Sequence, residues 1–287
     1  MVALFGYIPM SGILIAFRSN FNIYGGRTIA DAWASGTWTL ANFKLLFQDA
    51  TVLLALKNTL IINLVGIVIV FPLPILFALF LADIKTPWVS KLILIVTCLP
   101  NFLSWPIVVG VFQNFMSPVD GALNNILVKL GFISQPFYFF GSNAWFKTLV
   151  IFLKIWKGTG WSSIIFYAAI ASIDKSFFEA ATLEGASKIK RIWYITIPTI
   201  MPTIALMLVM NLTYIMSAGF EQIFAMMTSA TRYDQHTIDT YLYDISIQNR
   251  KNVPFATVLG VVNGLIAMFL MLGGNKLVKK TLGKSLW

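Results

Sequence analysis

Charge is scarce in this sequence. Only 11% of the 287 residues are Asp, Glu, Lys or Arg, and 58% are hydrophobic. A soluble domain carries about 25% charged residues. So little charge on so long a chain makes lipid the main solvent. Cysteine is nearly absent: Cys98 stands alone in an apolar run, which excludes an internal disulfide. Histidine is equally rare. His236, the single one, has no partner at metal-ligand spacing and reads as a surface or loop histidine. With the only histidine, His236, in a polar loop, no Ser–His–acid arrangement is credible. A nucleotide loop is also missing. Gly283-Lys284-Ser285 fits the end of G-x-x-x-x-G-K-[ST], but position 278 is Val278 rather than glycine. These absences argue against an enzyme, and against a metal or cofactor held by this chain. No Pro/Ser/Gly-rich linker interrupts the sequence, so residues 1–287 read as a single domain. The net charge of +10 lacks a Lys/Arg run on a soluble segment. It therefore fits positive-inside topology and anionic headgroups rather than nucleic acid.

What the chain has is long apolar stretches. A bilayer-crossing helix needs about 20 mostly apolar residues, and about six stretches approach this length. They run from Val2 to Phe17 (short, with Pro9), Leu53 to Ala82 (with Pro72 and Pro74), Trp88 to Phe115 (with Pro100 and Pro106), Trp145 to Ile170, Thr199 to Phe224, and Phe255 to Leu272. The predicted fold class is an all-α membrane protein. Internal prolines free carbonyls and kink spanning helices. Nine Trp and twenty-four Phe suit interfacial belts and helix packing. The apolar opening Met1–Tyr7 lacks the charged region and cleavage site of a signal peptide, which leads us to expect a longer native N-terminus.

Polar segments separate the stretches. Ser117–Asn143 contains a Pro118-Val119-Asp120-Gly121 turn and a predicted helix from Ala122 to Leu130, ended by Gly131. Met226–Pro254 is a polar loop, and Asn275–Trp287 is a basic tail. With both termini inside, the inner segments carry Lys85, Lys91, Lys175, Lys188, Lys190, Arg191 and the tail lysines. The outer segments hold a similar number of basic residues over roughly twice the length, so the inside bias is one of density.

The segment from Ser172 to Ile197 is polar and helix-prone. Asp174 or Ser176 can cap a helix that contains Glu179, Ala180 and Ala181. Gly185 allows a sharp turn. A second helix, Ala186–Tyr194, carries Lys188, Lys190 and Arg191, and Pro198 marks entry into the fifth span. This describes an elbow projecting from the membrane at about 172–197. The plainer reading is an ordinary amphipathic interfacial loop. However, Glu179-Ala180-Ala181-Thr182-Leu183-Glu184-Gly185-Ala186 followed by Ile195-Thr196-Ile197-Pro198 resembles the EAA motif, E-A-A-x-x-D-G-A-x8-I-x-L-P, of binding-protein-dependent ABC importer permeases. Glu184 replaces the motif's Asp, and Ile197 its Leu.

That resemblance implies the type I ABC importer permease fold, with the elbow as a cytoplasmic coupling helix in a cleft of an ATP-binding subunit. Glu179, Ala180, Ala181, Glu184, Gly185, Ala186 and Pro198 would then form the ATPase-coupling site. ATP and Mg would belong to two partner ATPase subunits. The other implied partners are a second, homologous permease subunit and an extracytoplasmic solute-binding protein, with the bilayer around them and no nucleic acid. The segments Thr37–Gln48, Ser117–Asn143 and Met226–Pro254 would receive the binding protein. The implied location is a bacterial inner membrane, with multiple passes. Further stretches look similar to the polysaccharide-type (LplB-like) branch of the maltose-type sugar permeases: Phe5–Met10, Ile155–Trp161, Gly219–Phe224 and Ile238–Tyr243. That branch implies oligosaccharide import, including uronate-containing sugars of the alginate or pectin type.

Lys154 and Lys157 lie about one-third to halfway along the fourth stretch, at ~1.5 Å rise per residue. A lysine near the bilayer centre costs about 2.5–3.5 kcal/mol or more and faces a partner or a wet cavity. With Trp156 and Trp161 nearby, a cation could meet a sugar carboxylate while an indole face meets the pyranose ring. The alternative is an internal pair, with Glu221 as counter-charge, and Lys154 could also snorkel. Asn211, Tyr214 and Asn263, with Met207, could line a cavity or bond neighbouring helices. The competing functions are the same architecture for a peptide or phosphate, an ion-coupled secondary transporter, and a membrane-embedded enzyme.

Overall fold

A computed structural model describes Phe5, residues 10–19, Phe21, residues 29–248 and residues 252–282. Its regular elements are helices. Among the described residues the extended backbone forms no sheet, only an isolated antiparallel bridge between Arg18 and Trp38. The chain divides into two compact units, Met1–Asn63 with Tyr214–Phe269, and Leu64–Thr213 with Leu270–Trp287.

The first unit holds α1 (Ile29–Ser35), α2 (Ala41–Gln48) and the start of α3 (Ala50–Asp83). Its polar side chains hold irregular backbone that would otherwise leave carbonyls unmet. Asn42 donates to the carbonyls of Ala16 and Arg18 at 3.0 and 2.8 Å. Asn58 donates to those of Asp234 and His236 at 2.8 and 2.9 Å, and the Thr59 hydroxyl accepts the Ile238 N–H at 3.0 Å. Asn63 reaches the Ile215 carbonyl at 2.8 Å. One stretch of α3 thus organises the polar loop after residue 214. His236 lies in that loop as expected but is buried, at 3% exposure, rather than at the surface.

The second unit continues α3 and adds α4 (Pro87–Phe102), α5 (Trp105–Phe115), α6 (Ala122–Lys129), α7 (Asn143–Ala171), α8 (Lys175–Leu183) and α9 (Lys188–Thr213). Its core joins Ile75 and Ala78 of α3 to Phe166 and Ile170 of α7, Ile173, and Ile200 of α9. The α6 helix ends as the sequence predicts. Gly131 takes φ +75°, with its N–H on the Val128 carbonyl at 3.0 Å and the Phe132 N–H on the Leu127 carbonyl at 2.9 Å.

Among the described residues, four helices are long and apolar enough to cross a membrane: α3, α7, α9 and Val253–Lys280. The number becomes five if the α4–α5 pair is one broken span. Of the first expected stretch, Val2–Phe17, only Phe5 and residues 10–17 are described, with Ser11–Phe17 forming a 3-10 helix. The second stretch is one helix, and its prolines are absorbed by a π turn at Gly66–Val70 ahead of Pro72. The third is not one continuous helix: α4 and α5 meet at 98°, the geometry of a broken span or a re-entrant loop. Leu103 and Ser104 are extended there, between Pro100 and Pro106, each of which lacks an N–H for a helix to continue through. The fifth stretch is displaced. It begins at Lys188, a second π turn at Ile192–Thr196 precedes Pro198, and Pro202 lies inside the helix. It stops at Thr213 rather than running to Phe224. Gly219, at φ +87°, then leads into the short helix α10 (Phe220–Met226). Hydropathy does not register this break, because Tyr214–Phe220 is still largely apolar. α11 (Ile238–Tyr243) follows. α12 (Val253–Leu282) continues past the expected Leu272 into the basic segment, where Lys279 and Lys280 suit the carbonyl end of a helix.

Candidate functional site

The elbow is built from capping chemistry. The Asp174 carboxylate accepts the Ser176 N–H at 2.9 Å and starts α8; this bond holds the carboxyl below its usual range. Asp174, not Ser176, is therefore the cap. The C-terminal end of α8 closes with the Ala186 N–H on the Ala181 carbonyl at 2.9 Å and the Gly185 N–H on the Thr182 carbonyl at 3.0 Å. Gly185 stands between them at φ +75°, where a side chain would be strained. The Ser187 hydroxyl then caps α9, which resumes at Lys188 rather than Ala186.

Two side chains brace the bend. The Arg191 guanidinium donates to the Thr182 hydroxyl at 2.8 Å, joining its two arms. Lys188 pairs with Asp83 at the end of α3. Phe178 turns inward against the core of Ile75, Phe166, Ile173 and Ile200. A cleft of about 350 Å³ lies between these groups, lined by Asp83, Tyr167, Lys175, Phe178, Lys188 and Arg191 among others. The outer surface is left open. Glu179, Ala180, Glu184, Gly185 and Pro198 are exposed, as are Phe177 (61%) and Leu183 (90%), while Ala181 and Ala186 are half-buried. Sequence reasoning missed Phe177 and Leu183. Two large apolar side chains in an otherwise polar, helix-prone segment were the available signal.

Of the intramembrane candidates, Lys154, Lys157, Trp161 and Asn211 belong to the second unit, and Tyr214, Glu221 and Asn263 to the first. Lys157 is buried at 8% exposure. Its ammonium donates to the Asn101 carbonyl at 2.7 Å and sits 5.3 Å from the centre of the Trp105 ring. Trp161 is half exposed and meets Phe102 edge-on, with ring centroids 5.8 Å apart. Trp156 meets Phe112 at 5.1 Å. The Asn211 amide donates to the Met207 carbonyl of its own helix at 2.8 Å. Tyr214 and Glu221 are exposed. The Asn263 side-chain oxygen is buried and accepts no hydrogen bond among the described residues. The described residues contain no cluster of three or more His, Cys, Asp or Glu suited to a metal.

In the polar loop, the Arg232 guanidinium pairs with Asp244 at 2.8 Å. The Tyr241 hydroxyl donates to Asp49 at 2.9 Å; burial, reinforced by that carboxylate, pushes the phenol to about 12. Burial lowers the His236 imidazole below its ordinary value, with Asp244 opposing and Arg232 assisting.

Comparison with known proteins bears on the fold and the family. Residues 71–281 fit the family described as binding-protein-dependent transport system inner membrane component. The chain is 32% identical over 277 residues to the polygalacturonan/rhamnogalacturonan transport system permease protein YteP of Bacillus subtilis, covering 96% of this chain and 84% of that protein. Protein LplB of the same organism is 31% identical over equal coverage. A bacterial ABC transporter involved in the import of the acidic polysaccharide alginate has a chain that superposes with TM-score 0.87 at 32% identity, covering 98% of this chain and 92% of its own. The alginate transporter in complex with alginate pentasaccharide-bound periplasmic protein gives TM-score 0.88, also at 32% identity. A family match over most of the chain, joined to an all-helical fold that superposes on an importer subunit, makes this protein a member of the binding-protein-dependent ABC transporter permeases, the inner-membrane components that carry solute rather than catalyse a reaction.

Proposed function

We propose that this chain is one transmembrane subunit of an ATP-driven importer of an acidic, uronate-containing oligosaccharide. It works as a single permease domain, paired with a homologous permease and fed by an extracytoplasmic binding protein. Two ATPase subunits bind ATP and Mg on its behalf, and both termini face the cytoplasm. The observation that carries this reading is the elbow at Lys175–Arg191. Its inner face is anchored by Phe178 and by the Lys188–Asp83 pair, while its outer face exposes Glu179, Glu184, Phe177 and Leu183. A rigid, water-facing bend of this kind suits a cleft in a motor subunit. Glu179 would meet a basic group there, Leu183 and Phe177 would fill apolar contacts, and Gly185 would hold the turn. ATP-driven closure of the motor would displace α8, and α9 would follow because the bend is stiff. The path would then turn outward to accept sugar.

Support for an acidic saccharide comes from the polygalacturonan/rhamnogalacturonan and alginate transporters among the similar proteins. Within this chain, Lys154, Trp161, Asn211, Tyr214, Glu221 and Asn263 are the proposed pathway residues. Lys157 is separate, because its ammonium already engages backbone. The test is ATP hydrolysis and uptake by the reconstituted complex. The binding protein should be presented with alginate-type and galacturonate oligomers, with neutral oligosaccharides, and with sn-glycerol 3-phosphate, since a permease for that solute is also similar to this chain. Stimulation by acidic oligosaccharides and loss of coupling in Glu179→Ala are expected. Uptake that persists without ATP hydrolysis would refute the reading.

A further inference from the structure

The break between α4 and α5 leaves the carbonyl end of one helix within an apolar stretch long enough to cross a membrane. Carbonyls in the last turn of a helix have no intrahelical partner and carry partial negative charge. In a bilayer each must find a donor within the protein. α7 presents two residues to this place. Lys157 donates to the Asn101 carbonyl at 2.7 Å, within the last turn of α4. Gly160, three residues on and thus on the same face of α7, lies against the backbone one turn earlier: a Cβ there would sit 2.2 Å from the Thr97 carbonyl oxygen and 2.9 Å from the Cys98 nitrogen. The Lys157 ammonium also stands 5.3 Å from the centre of the Trp105 ring, at the first residue of α5. One side chain therefore engages both arms of the 98° bend.

We infer that Lys157 is a positioning residue, the pin that holds the broken α4–α5 span against α7 and so sets the course of the translocation path. It acts through the Asn101 carbonyl and the Trp105 ring, not through a substrate carboxylate. The chemistry separates the two roles. A pin needs a donor at the carbonyl, so arginine or glutamine can stand in for lysine in part. An anion contact needs positive charge and concerns only acidic cargo. The pin role is a statement about the permease proposed above and rests on that reading for its transport consequence.

The experiment uses the assembled complex in proteoliposomes and reads two quantities. One is the maximal rate of ATP-dependent uptake for an acidic and a neutral oligosaccharide. The other is the rate at which N-ethylmaleimide modifies Cys98, followed by mass spectrometry of this chain. Cys98 is this chain's single cysteine, is buried at 7% exposure, and immediately precedes the final turn of α4. Lys157→Met is expected to lower the maximal rate about tenfold for both sugars, the scale of losing one hydrogen bond from a charged donor, and to speed Cys98 modification several-fold. Lys157→Arg and Lys157→Gln should recover part of both. If Lys157→Met fails to assemble, Lys157→Gln carries the test: a selective loss of acidic uptake with neutral uptake intact would overturn the pin. Unchanged Cys98 modification in Lys157→Met would do the same. A wild-type complex without ATP-dependent saccharide uptake would instead refute the saccharide-import reading, and the Cys98 comparison would still decide the pin.

Discussion

A single added methyl group at Gly160 should force α7 away from α4. The Cβ of an alanine there would lie 2.2 Å from the Thr97 carbonyl oxygen and 2.4 Å from its carbon. An acceptable carbon–oxygen approach is about 3.3 Å, so the shortfall is roughly 1 Å. The obstructing atoms are backbone and cannot rotate aside as a side chain would. Overpacking of this kind costs about 1–3 kcal/mol. Gly158 is the internal control. It lies two residues away on the same helix, and a Cβ there meets nothing within 4 Å. In that open position alanine should gain from helix propensity, by up to about 1 kcal/mol. The two substitutions are chemically identical and should shift stability in opposite directions. Thermal unfolding of the purified complex, in one detergent and lipid mixture, is the assay. Each kcal/mol moves the midpoint by about 2–4 °C in a domain near this size. Gly160→Ala should therefore melt several degrees below Gly158→Ala. Gly160→Ala unfolding at or above Gly158→Ala would refute the close approach and the packing argument built on it.

Three further outcomes are expected. Gly185→Ala should strain the elbow by about 1–2 kcal/mol, because the position is left-handed and no neighbour crowds it; ATP hydrolysis should continue while uptake per ATP falls, and unchanged stoichiometry would count against the bend as transmitter. Asn58→Leu removes the donor to two carbonyls, of Asp234 and His236, and should destabilise the complex by about 1–3 kcal/mol, read as a lowered unfolding midpoint that Asn58→Gln does not fully restore. His236 supplies the pH dependence. Its folded-state value is depressed by burial, so the unfolded chain binds the proton more readily. Its stabilising effect is then complete above the ordinary histidine value of about 6.5 and is lost as pH falls below it. The unfolding midpoint should decline from pH 7.5 to pH 5 more steeply in wild type than in His236→Gln, and parallel slopes would exclude it.

The sequence by itself determined the solvent and the class. So few charges among long apolar runs admit only a membrane protein built of helices, because backbone polar groups in lipid must be satisfied internally. It also located the elbow, since Asp174, Gly185 and the alanines act through local backbone preferences that no distant contact is needed to express. The end of α6 at Gly131 was legible for the same reason. The tertiary structure decided where apolar runs cease to be helices. The Trp88–Phe115 run reads as one kinked span, yet its two prolines and the extended pair Leu103–Ser104 turn it by 98°. The Thr199–Phe224 run begins earlier, at Lys188, and stops at Thr213; apolar content does not register the break between Thr213 and the turn at Gly219. Lys157 shows the same division. Composition marks a lysine in a span as a group that needs a partner, and periodicity puts it on one face with Gly160. That this partner includes a backbone carbonyl 56 residues earlier depends on the path of a different helix, which local residue preferences do not encode.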